Sequence, residues 1–73
     1  MDEQVLKELL LRENADFRKL HEEHQDCEKR LEILQMKSYL SEQEKLEERE
    51  LKKRKLALKD KMYALMAESR QKR

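Results

Sequence analysis

The sequence predicts an all-α protein: an antiparallel two-helix hairpin of coiled-coil character that self-associates into a helical bundle. Three observations carry this expectation. Leu, Glu, Lys, Arg and Ala supply 48 of the 73 residues, well past the roughly one-half that marks long helices and coiled coils. Glycine and proline are absent, so the tight turns of sheet proteins, which draw on residues at positive φ, lack their raw material. The apolar residues recur at helical spacing, in steps of three and four. The chain forms one domain, residues 1–73, because a full-sized core needs roughly 100 to 150 residues.

The first helix is expected over about residues 2–35. Phe17, Leu20, His24, Cys27, Leu31 and Leu34 follow one another in steps of 3, 4, 3, 4 and 3, the alternation of a helix that buries a single stripe. Stepping backward by the same rule reaches Glu13, Leu10 and Leu6. The polar stretch from Glu13 to Asp16 leaves room for a kink or break near Asn14, where Asn14 or Asp16 can cap a new start.

A turn is expected over residues 36–41, since Lys37-Ser38-Tyr39-Leu40 carries no periodicity. Ser41-Glu42-Gln43-Glu44 then matches the capping box, in which the serine hydroxyl and the glutamate carboxylate each accept from the other residue's backbone amide. A second helix follows over about residues 42–70. Its seam is Leu51, Lys55, Leu58, Met62 and Leu65, and Lys55 is accommodated by laying its methylene stem on apolar surface. A short connection between two long helices favours antiparallel packing. A bend near Ser38 places Phe17 near Met62, Leu20 near Leu58, His24 near Lys55, Cys27 near Leu51 and Leu31 near Leu46.

Charged residues make up 48% of the chain, yet the net charge is only +1. The balance is unevenly divided: residues 51–73 hold nine Lys/Arg against two acids, and residues 1–50 hold nine against fifteen. Antiparallel packing lays the basic end beside Glu13, Asp16, Glu22, Glu23 and Asp26, which selects orientation more than it stabilises. No apolar run approaches the roughly 18 residues of a membrane span, and the acidic Asp2-Glu3 start is wrong for a signal peptide. The lone Cys27 has no intrachain partner, as expected in a reducing compartment. A cytoplasmic protein without a membrane role is expected.

The block Leu51-Lys52-Lys53-Arg54-Lys55-Leu56-Ala57-Leu58-Lys59-Asp60, preceded by Phe17, Leu20, His24 and the capped turn Tyr39-Leu40-Ser41, resembles the YdcH-like family of short bacterial proteins of unknown function. The resemblance covers about residues 10–67. It implies a helical hairpin, a cytoplasmic bacterial setting and no established activity.

His21, His24 and Glu28 share a helix face beside Cys27, which invites a metal reading. The facing helix offers Lys55 and Arg54 instead of further ligands, so a seam histidine bound to a carboxylate or water is the better reading. Cys27 and His24 also lack oxyanion donors in a continuous helix. No catalysis, metal or cofactor is expected.

A structural role in protein interaction is expected instead. Leu56 and Tyr63 lie off the seam of the second helix, and Ile33 and Met36 off that of the first. A two-helix hairpin is short of core on its own, so these four residues form the candidate self-association surface. A dimer of hairpins is favoured, with a different, unidentified protein as the rival occupant. The alternative is a nucleic-acid-associated module using the basic block from Lys52 to Lys61, with Lys52, Lys53, Arg54, Lys59 and Lys61 as its patch. Against nucleic acid stand the lack of interleaved aromatics, the near-zero net charge and the acidic first helix alongside.

Overall fold

The computed structural model describes residues 2–71. The protein is all-α: among the described residues there are three helices, α1 (Glu3–Glu13), α2 (Ala15–Gln35) and α3 (Glu42–Gln71), and no strand. The first helical region is therefore two helices, parted by Asn14 alone.

Local hydrogen bonding explains the division. Asn14 adopts an extended conformation (φ −115°, ψ 108°). Its side-chain oxygen accepts from the Phe17 amide at 3.0 Å, while its own amide donates to the Leu10 carbonyl at 2.8 Å. One residue thus closes α1 and caps α2. Asp16 falls in the first turn of α2, where a carboxylate meets the positive end of the helix dipole. The guanidinium of Arg18 reaches back and donates to the carbonyls of Leu11 at 2.9 Å and Arg12 at 3.0 Å, satisfying two acceptors that the end of α1 leaves free.

The bend turns α1 back along the other two helices. Glu3 and Lys7 line one cavity with His24 and Lys59, whereas Leu10 lines another with Asn14 and Leu65. α1 therefore runs opposite to α2 and alongside α3. Leu6 and Leu10 join Phe17, Met62 and Met66 in one buried cluster, with Leu11, Leu20 and Leu65 packed against it. Phe17 and Leu6 are fully buried. The molecule is three helices thick at this end and two helices thick toward the turn.

The turn contains no positive φ, in keeping with a segment that has no glycine. The Met36 amide donates to Glu32 and Ile33, and that of Lys37 to Leu34. Ser41 then opens α3 with both bonds of the capping box: the Glu44 amide donates to Ser41 Oγ at 3.1 Å, and the Ser41 amide to Glu44 Oε1 at 3.0 Å.

α3 returns along α2. Arg30 donates to both carboxylate oxygens of Glu47, at 2.8 and 3.0 Å, and Glu23 stands 4.0 Å from Arg54. Rising numbers on one helix thus meet falling numbers on the other. Three expectations need correction here. Met66, outside the expected seam, is buried, whereas Leu65 is only half-buried, because α1 lies over the Met66 side of α3. Leu46, expected opposite Leu31, is 55% exposed, since α1 does not extend to the turn end. Lys55, whose ammonium is expected to reach water, directs it instead to Glu28 Oε1 at 3.2 Å.

Candidate functional site

The surface divides into an apolar set and a charged set, both displayed by α2 and α3. Ile33 and Leu56 are each at least half exposed, Tyr63 likewise, and Met36 is 86% exposed. The helical period that puts Leu31, Leu34, Leu58 and Met62 into the seam turns these four away from it. Leu56 lines a groove between α2 and α3 together with Leu31, Gln35, Lys52 and Lys55. Tyr63 borders the cavity beneath α1, with Glu3 and Lys7. Lys59 lines both, so the two openings adjoin along α3; residues of α1 line the first and not the second.

Tyr39 and Leu46 are further exposed apolar side chains near the turn. Leu46 was expected opposite Leu31, and its exposure depends on how far the third layer extends.

All five residues of the basic patch, Lys52, Lys53, Arg54, Lys59 and Lys61, are exposed. Lys52 stands 3.9 Å from Glu48 and Arg54 4.0 Å from Glu23. Lys53, Lys59 and Lys61 make no ion pair among the described residues. The block is thus half engaged by acids of its own chain.

His24 sits where the charged set meets the seam. Burial holds its pKa below the ordinary 6.5; Glu28 opposes the shift, while Lys55, Lys59 and His21 reinforce it. His24 Nε2 is 3.9 Å from Glu28 Oε1, too far for a hydrogen bond, and this nitrogen and His21 Nδ1 are buried without a protein partner. Glu28 bonds Lys55 instead, which lowers its pKa. Among the described residues no group of three or more His, Cys, Asp or Glu side chains is arranged to hold a metal ion. Cys27 is buried, and no helix is long and apolar enough to cross a membrane.

A family model described as a protein of unknown function (DUF465) matches residues 17–66. The chain belongs to this family. DUF465 is the YdcH-like group that the lysine-rich block and the phenylalanine–histidine spacing resemble. The DUF465 match takes in nearly all of α2, the turn and most of α3, and α1 lies outside it. No curated protein and no solved structure matches the chain.

Proposed function

We propose that this DUF465 protein is a structural module for protein interaction, in which the α2–α3 hairpin, coiled-coil-like in its seam, associates with a second copy through Ile33, Met36, Leu56 and Tyr63. The observation that carries the reading is the exposure of these four large apolar side chains, each at least half open to solvent, on a chain of only 73 residues. Burying them against a like surface removes apolar area from water at roughly 25 cal/mol per Å². The open groove beside Leu56 gives that surface relief in which a partner side chain can seat. A dimer is the simplest closed arrangement for a self-complementary patch. The reading assigns no catalytic role to the buried Cys27, and it places the protein in the cytoplasm, as the lone unpaired thiol suggests.

The test is sedimentation over about a hundredfold range of concentration, since association contributes by mass action. A dimer should form as concentration rises, and Leu56→Glu combined with Tyr63→Lys should return it to monomer. A folded monomer throughout would overturn the reading. The second reading, nucleic-acid association through the basic block, is favoured by Lys53, Lys59 and Lys61, which make no ion pair among the described residues. It requires binding to a duplex DNA probe that weakens steeply with salt and weakens further in a Lys53→Gln/Lys59→Gln/Lys61→Gln variant.

A further inference from the structure

We infer that α1 is exchangeable between copies: the groove that α1 fills also accepts the Glu3–Glu13 segment of a second copy, while the α1–α2 junction straightens into one continuous helix. The first observation is the phase of the apolar stripe. Leu6, Leu10, Glu13, Phe17, Leu20, His24 and Cys27 keep the alternation of four and three across Asn14, although the helix does not. A straight helix would therefore carry Leu6 and Leu10 on the same face as Phe17 and Leu20. A bend at which the stripe need not keep phase nonetheless keeps it.

The second observation is the hinge. It is a single residue whose φ of −115° and ψ of 108° need only turn to the helical values near −63° and −42°, and no proline in the chain forbids that rotation. Three bonds hold the bend: Asn14 Oδ1 accepting from the Phe17 amide, and the two from Arg18 to the end of α1. A continuous helix satisfies the same amides and carbonyls from within its own backbone. The two forms thus differ little in local hydrogen bonding.

The third observation concerns what an open chain leaves behind. Removing α1 uncovers Phe17, Met62 and Met66, all buried here beneath Leu6 and Leu10. A straightened α1 exposes Leu6 and Leu10 in turn, so both the freed segment and the vacated groove lack apolar partners until a second copy supplies them. The matching shape is guaranteed, because the second copy carries the segment that fills the groove in this one.

Direction fixes the product. α1 runs opposite to α2, so a straightened α1 points out past the Asn14 end and away from its own bundle. Two copies exchanging α1 meet about a twofold axis near their Asn14 residues and lie end to end, at nearly twice the 48 Å length of one chain. Association through Leu56 and Tyr63 would instead set two copies side by side with the length little changed. The exchange does not rest on that surface, and molecular length separates the two.

The experiment combines small-angle X-ray scattering with sedimentation on the unmodified chain, Asn14→Ala and Ala15→Pro. Asn14→Ala removes the cap that favours the bend at both hinges of the dimer, and should lower the concentration needed for the elongated dimer by about fivefold or more. Ala15→Pro suits the first residue of a helix after an extended Asn14 but not the interior of a continuous helix, so it should abolish the elongated species and leave each chain compact and helical. A second readout leaves the hinge intact: in a Cys27→Ser background, Lys7→Cys with Lys59→Cys places two thiols on one cavity, and oxidation should link chains to each other increasingly as concentration rises. The proposal is overturned if Asn14→Ala retains its helicity yet shows no species longer than one chain, if its dimer keeps the length of one chain, or if the crosslink stays within chains at every concentration.

Discussion

At Glu44 one carboxylate accepts from the Ser41 amide and pairs with Lys37, and these partners hold its pKa down to about 2 from the ordinary 4.5. A folded-state pKa below the unfolded one gives stability that is complete above about pH 4.5 and is lost as pH falls through about 2. Denaturation series from pH 6 to pH 2 should show that acid loss, and Glu44→Gln should lack its share of it. Removing the hydroxyl on the other side of the box, Ser41→Ala, should cost about 0.5 to 2 kcal/mol in urea denaturation. His24 works in the same direction at higher pH. Its half-buried imidazole resists protonation among Lys55, Lys59 and His21, with Glu28 opposing and Glu3 and Lys7 of α1 lining the same cavity. Because its folded pKa lies below 6.5, stability is complete above about pH 6.5 and declines as pH falls until the folded value is passed. His24→Gln should flatten the stability profile over that interval, and an unchanged slope would remove His24 as the cause.

The three helices differ in what secures them. α2 and α3 are tied by the seam and by the Arg30–Glu47 pair, whereas α1 is tied chiefly by Leu6, Leu10 and the Arg18 bonds. Phe17 belongs to both attachments, so Phe17→Ala should cost about 3 to 5 kcal/mol and abolish cooperative melting in so small a domain. Leu6→Ala should cost about 2 to 5 kcal/mol, with hydrogen exchange accelerating first at α1 amides; uniform acceleration across all helices would show that α1 does not open separately. The Ser41 cap was legible because a capping box lies within four residues. Asn14 was legible only as one of two candidate caps, and choosing between them required the position of Phe17, whose burial against Met62 fixes where α2 begins.

Across the whole molecule, charge orients while apolar burial stabilises. The ion pairs joining α2 to α3 are partly exposed, and such pairs contribute about 0 to 1 kcal/mol each. Raising salt from roughly 0.05 to 1 M, where screening shortens to a few Å, should therefore move the urea midpoint only slightly. A large fall would mean that the charges, not the seam, hold the fold together. The same titration bears on function, since association through apolar side chains tolerates salt and binding to phosphates does not.

The sequence by itself determined that the chain is helical, that a turn separates residues 35 and 42, that Ser41 caps the second long helix, and that Phe17, Cys27, Leu31, Leu34, Leu58 and Met62 face inward. Each of these follows from composition, from hydrogen bonds spanning three or four residues, or from the 3.6-residue period. Only the tertiary structure decided that α1 turns back, that Met66 is buried beside it, that Glu28 pairs with Lys55, and that a groove between α2 and α3 is left open beside Leu56. A stripe that keeps its phase through Asn14 fits a straight helix and a bent one alike. The choice rests on Leu6 and Leu10 meeting Phe17, Met62 and Met66, residues distant in sequence whose burial no local pattern specifies.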